Sequence, residues 1–263
     1  MGRISAAFDT AKSEGRAAFV PYLTAGYPDE TSFLDHAHTL LEVADVLEVG
    51  LPYSDPLGDG PTIQRASEQV LAQGMNTQRT FELITSLRER SDKPLVLMTY
   101  YNPIYCYRTG EVGFVKALKE AGADGVILPD LPPDEAQSLI EVAREVDLDT
   151  IFLIAPTSTD ERLRTVTAAC RGFVYAVSVT GVTGARESVS SDVPGLVGRA
   201  KAVTDLPIAV GFGVSSGETA RPVAQVADGV VVGSALIRAI GEGESLGPLA
   251  RDIAEACRRA ASK

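Results

Sequence analysis

The chain has 263 residues and a formal net charge of -11, so its overall field repels polyanions and argues against nucleic acid or anionic membrane as partners held by long-range attraction. No stretch approaches the ~20 uninterrupted apolar residues of a membrane span, and the opening MGRISAAFDTAKSEGR has no apolar core of the signal-peptide kind. A cytoplasmic protein is expected. Cys106, Cys170 and Cys257 are odd in number and widely separated, without a C-x-x-C pair, so neither a disulfide framework nor a thiolate zinc site is indicated and buried free thiols are expected.

In chain order, a short helix over Ile4 to Lys12 comes first. Eight runs rich in β-branched residues follow, at 18–24, 45–50, 95–100, 124–129, 150–155, 173–179, 207–213 and 228–233. Between them lie stretches with helical periodicity, such as Phe33, Ala37, Leu40, Leu41 and Ala44, or Leu139, Val142, Ala143 and Val146. Strand and helix alternate without a linker or a break in composition. Residues 1–263 are therefore expected to form a single-domain closed (β/α)8 barrel, the TIM-barrel architecture, with the first helix plugging its bottom. A doubly wound open sheet is the alternative, because near-continuous apolar strands suit any parallel sheet covered on both faces. The segments after strand 2 (51–61), strand 3 (101–109) and strand 6 (180–192) exceed the usual ~2 to 6 residues of such connections. All three fall at the C-terminal face, where barrel enzymes keep their chemistry.

Strand 2 and its loop read LEVGLPYSDPLGDGPTIQ. If Leu47 and Val49 pack outward, alternation turns Val46 and Glu48 into the barrel, and a carboxylate partly removed from water there suits proton transfer near neutral pH. A structural ion pair is the alternative for Glu48, and a turn-forming role the alternative for Asp59 in G-D-G-P. Asp55 in S-D-P carries a weaker signal. His36 and His38, the only histidines, fall mid-helix away from any strand end, which leaves no His-based triad or His-liganded metal. The six lysines lie on helices, before strands or at the terminus, so none is placed for a Schiff base. Carboxylates remain, with Tyr22, Tyr100 and Tyr175 at strand ends as pocket or core residues.

Glycines gather after strands 6, 7 and 8, in GVTGARES, GFGVSSGE and VGSALIRAI. Main-chain amides can approach an anion closely there, and a helix N-terminus favours negative charge, so Gly184, Gly213, Gly233 and Ser234 are the candidate phosphate cradle. Tight turns are the alternative reading. Between cradle and acids stand Tyr22, Ile63, Met98, Tyr100, Ile127, Leu153, Tyr175, Phe212 and Val231, which suits a ligand with a phosphate tail and an apolar, aromatic head.

LEVGLPYSDPLGDGPTIQ, YAVSVTGVTGAR and GFGVSS together resemble the tryptophan synthase α subunit family, over essentially the whole chain. The resemblance implies retro-aldol cleavage of indole-3-glycerol phosphate to indole and glyceraldehyde 3-phosphate. It further implies no cofactor or metal in this chain, and an α2β2 complex with a β subunit that carries pyridoxal phosphate. By the same likeness Glu48 protonates the ring carbon and helps remove the side-chain hydroxyl proton, and Asp59 accepts the ring N–H. Thr183 contacts that aspartate upon closure, Tyr175 borders the pocket, and Asp55, Tyr101, Asn102 and Pro103 meet the partner. Gly58 and Val179 depart from the family pattern, at positions that bear on loop closure and coupling rather than chemistry. A stand-alone lyase, another sugar-phosphate enzyme, or a silent activating subunit are the alternatives.

Overall fold

The computed structural model describes residues 2–177, 193–211 and 213–258. Helix α1 (Arg3–Ser13) precedes β1 (Ala18–Thr24), α2 (Glu30–Leu41) and β2 (Leu47–Gly50). Two helices, α3 (Pro61–Ala72) and α4 (Thr77–Arg88), lead to β3 (Leu95–Met98), followed by α5 (Tyr101–Tyr105) and α6 (Gly110–Glu120). Then come β4 (Gly125–Leu128), α7 (Gln137–Glu145), β5 (Asp149–Ile154), α8 (Asp160–Ala169), β6 (Val174–Val177) and α9 (Val193–Lys201). The chain continues through β7 (Ile208–Gly211), α10 (Gly217–Val226), β8 (Gly229–Val232), α11 (Ser234–Gly241) and α12 (Leu246–Ala256). The eight strands pair in sequence order, all parallel, and β1 closes on β8. This is the (β/α)8 barrel, and the open-sheet alternative is eliminated by that closure.

Side-chain alternation divides the apolar material into two layers. Leu47, Val49 and Leu97 pack outward against the helices, whereas Val20, Val46, Val96 and Ile151 fill the barrel. Helix α1 caps the lower end: Ile4 and Phe8 belong to the inner cluster, and Phe8 stacks at 5.4 Å from Phe173. One aspartate pattern secures the lower rim. Asp45, Asp124 and Asp228 stand just before β2, β4 and β8, and each accepts an amide of the neighbouring strand, from Phe19, Leu95 and Ile208 respectively, at 2.8 to 3.0 Å. Each also holds a cation, namely Arg16 at 2.6 Å, Arg88 at 2.5 Å and Lys201 at 2.9 Å. The amides that would end unpaired at the start of a parallel strand are thereby satisfied.

Several expectations need correction. Most strands are shorter than their apolar runs, because the terminal residues turn into loops or caps: Tyr100, expected as the end of strand 3, is the N-cap of α5. The segment after strand 3 is not a long loop, since α5 occupies its first half. Its apolar character has two causes. Ile104 is fully buried, and Tyr107 packs on Phe81 and Phe114, leaving Tyr105 facing solvent at 68 % exposure. Cys106 is exposed, unlike the buried Cys170 and Cys257, because it falls on the side of this turn opposite Ile104. The expected loop 180–192 and the last two residues of the strand run 173–179 lie outside the described residues.

Candidate active site

Glu48 is the second residue of β2, flanked in register by Tyr22 of β1 and Val96 of β3. Its side chain is 2 % exposed, and among the described residues its Oε2 has no hydrogen-bond partner. Among the described residues no salt bridge engages it, so the ion-pair alternative does not fit them. Burial, with the nearby Asp59 charge as a smaller cause, pushes the Glu48 carboxyl up to about 8. At neutral pH it therefore holds a proton.

Asp59 reaches the same cleft from the loop that follows β2. Its backbone is set by the start of α3, where Gly60 is the N-cap and Pro61 occupies the first turn. Gln64 of that helix donates its side-chain amide to the Asp59 carbonyl at 2.7 Å. The carboxylate accepts a hydrogen bond from the Tyr100 hydroxyl, while that hydroxyl accepts the Gly58 amide at 3.0 Å. Burial raises Asp59 to about 6 and the Tyr100 hydrogen bond opposes the rise. Two buried acids thus share one cleft with their protonation states held apart.

The cleft is a cavity of about 230 Å3 at the C-terminal end of the strands. Its walls include Tyr22, Ile63, Met98, Tyr100, Ile127, Leu153, Tyr175 and Val231, all placed there from sequence. Tyr22 and Tyr175 lie across glycines of adjacent strands: a Cβ on Gly50 or Gly211 would fall 2.1 or 2.3 Å from the respective hydroxyl. The opposite rim is made by Gly213, which has a φ of +79°, and by Gly233 and Ser234 at the start of α11. The first-turn amides of that helix have no carbonyl partner within it, which makes this rim suited to an anion. The arrangement brings together an uncharged acid, a charged acceptor, an apolar slot and an anion-binding end.

Thr183, Gly184 and Phe212, expected in the same site, and Val179 lie outside the described residues. Sequence reasoning missed Gly58, Pro129, Val177 and Val214, which also line the cavity. Two of these were within reach of the alternation already used, since Pro129 and Val177 follow Ile127 and Tyr175 by two residues. The other two adjoin Asp59 and Gly213. Of the candidate partner-facing residues, Asp55 and Asn102 are exposed, and Tyr101 and Pro103 are half-buried. Tyr101 donates its amide to Asp130 at 2.9 Å and its hydroxyl to Glu111 at 2.5 Å.

Comparison with known proteins bears on this geometry. The family model described as tryptophan synthase alpha chain matches residues 8–262. A tryptophan synthase alpha chain from Deinococcus radiodurans is 55% identical over 258 residues, covering 98% of this chain and 95% of that protein. The alpha chain from Mycobacterium marinum is 47% identical over 259 residues, with 98% and 95% covered. A solved chain of Mycobacterium tuberculosis tryptophan synthase superposes with a TM-score of 0.92 at 45% identity, covering 98% of this chain and 99% of that one.

Proposed function

The chain belongs to the tryptophan synthase alpha chain family, and from that premise we propose how its own residues divide the work. The activity is that of a carbon–carbon lyase, cleaving indole-3-glycerol phosphate to indole and glyceraldehyde 3-phosphate in tryptophan biosynthesis. The observation that carries the assignment of roles is the pair of buried carboxyls, Glu48 protonated and Asp59 ionised, in one apolar cleft.

Glu48 gives its proton to the indole ring carbon that bears the side chain, which turns the ring into an iminium. Asp59 accepts the ring N–H as positive charge develops there. The bond between ring and side chain then breaks, its electron pair returns to the ring, and the side-chain hydroxyl loses its proton to the Glu48 carboxylate as the aldehyde forms. The acid is restored and indole is released. No metal or lysine Schiff base is needed, because the protonated ring is itself the electron sink. The phosphate is held by main-chain amides at Gly213, Gly233 and Ser234, with Gly184 and Thr183 assigned by resemblance to the loop that closes over the site.

The chain works as one domain, in the cytoplasm, as the α subunit of an α2β2 complex whose β subunit carries pyridoxal phosphate. Asp55, Tyr101, Asn102 and Pro103 form the contact. In support, the apolar side chains exposed near them, Leu57 at 80% and Tyr105 at 68%, are out of place on a surface meant for water. Among the described residues no helix is long and apolar enough to cross a membrane. An indole-release assay with indole-3-glycerol phosphate, with and without the β subunit, tests the whole. Glu48→Gln and Asp59→Asn should each lower kcat by roughly 100-fold or more, and retention of wild-type turnover in either would refute its role.

A further inference from the structure

Tyr100 stands where three parts of the cleft mouth meet. Its backbone leaves β3 and caps α5, its ring lies 5.5 Å from Tyr53, and its hydroxyl reaches Gly58 and Asp59. The side chain is 2% exposed. One oxygen thus serves two successive residues of the loop after β2, accepting the amide of Gly58 and donating to the carboxylate of Asp59. An amide that donates to a phenol oxygen polarises its O–H, so the second hydrogen bond strengthens the first. Burial and the Asp59 charge hold the Tyr100 proton far above neutral pH, which keeps the hydroxyl a donor throughout the working range.

The ends of that loop are held by other contacts. Leu51 donates to Met98 at 2.9 Å at its start, and Gln64 grips the Asp59 carbonyl at its end. Neither contact determines where the Asp59 carboxylate points. We propose that Tyr100 is a positioning residue for the cleavage reaction: its hydroxyl, bridging the Gly58 amide and the Asp59 carboxylate, aims that carboxylate into the cleft. The role rests on the assignment of Asp59 as acceptor of the ring N–H and deepens it. A carboxylate free to rotate, or neutralised, would still border the pocket but would no longer meet developing positive charge from a fixed direction. Binding of the uncharged ring depends on that far less than turnover does.

Tyr100→Phe removes the hydroxyl and keeps the ring on Tyr53. In the full chain assayed with its β subunit, kcat should fall roughly tenfold to hundredfold, the range for a hydrogen bond to a charged group, with little change in KM. The acid limb of the kcat profile should move to higher pH. Carbon-13 NMR of aspartate-labelled full chain supplies a measurement independent of turnover, in which the Asp59 carboxyl should titrate at higher pH than in the wild type. A purely structural role would lower the folded fraction without moving either titration. Unchanged kcat, or an unmoved Asp59 titration in an otherwise active enzyme, would overturn the role of Tyr100 and leave the lyase reading intact. Failure of the wild-type chain to release indole would overturn the lyase reading and this role with it.

Discussion

The Tyr22 hydroxyl of β1 occupies the space that a side chain on Gly50 of β2 would need, 2.1 Å from the position of its Cβ. Tyr175 stands in the same relation to Gly211 of β7, at 2.3 Å. Two strands therefore end in glycine so that two neighbouring rings can lie across the cleft beside Glu48. Gly50→Ala and Gly211→Ala must displace these rings. Each should cost about 1–3 kcal/mol of stability in urea unfolding, as overpacking does, and should lower the rate of indole release in the folded protein.

The two acids set a pH window. Activity requires Asp59 ionised, with its carboxyl raised to about 6, and Glu48 protonated, with its carboxyl raised to about 8. A profile of kcat/KM for indole release should therefore fall below about 6 and again above about 8, with its maximum between. In the Asp59→Asn variant the residual activity should lose the acid limb and keep the alkaline one. A flat profile across this range would remove the assignment of both roles.

Glu48 should also weaken the fold that holds it. It titrates at 4.5 in the reference state and at about 8 in the folded chain, so between those values the native state holds a proton that the unfolded state has released. Stability attributable to this group is accordingly highest below 4.5 and is lost as the pH rises, until it levels off above about 8. Glu48→Gln has no such titration. Its unfolding free energy relative to the wild type should rise between about pH 5 and about pH 9, by on the order of a few kcal/mol, while its activity collapses. Denaturant melts at both values provide the measurement.

Asp124 belongs to the opposite end of the barrel. It accepts the Leu95 amide at 3.0 Å and pairs with Arg88 at 2.5 Å and Arg3 at 3.0 Å. Asp124→Ala leaves the mostly buried Arg88 and a strand amide without that partner, which should cost about 3 kcal/mol. Conservation of kcat and KM in the folded fraction is expected, since stability resides at the bottom of such a barrel and chemistry at the top. A change in kcat with unaltered stability would contradict that separation.

The barrel was legible because its evidence is distributed: eight apolar runs and the helical stripes between them agree, whatever the error at any one boundary. Glu48 was legible because an acid at an inward position of an apolar strand has few structural uses. Boundaries failed where local capping decides them, as at Tyr100, whose β-like neighbours mark a strand although its backbone starts a helix. The roles of Tyr100 and Gly50 were hidden for another reason, since both depend on contacts between segments that are adjacent in space but apart in sequence. One signal was present and overlooked. The dipeptide Ala-Asp recurs at Ala44-Asp45, Ala123-Asp124 and Ala227-Asp228, before β2, β4 and β8, where the small residue is buried and the acid holds the neighbouring strand's amide.

Helix α1 precedes every strand of the barrel in the chain, yet Phe8 packs on Phe173 and shares its cluster with Ala209 and Val231. Its apolar face must wait, during synthesis, for residues made much later in the chain. Until those residues are made the nascent chain carries that apolar face uncovered, the stage at which a holding chaperone has something to grip. Removing that helix would give an open-bottomed ring whose inner layer is wetted from below.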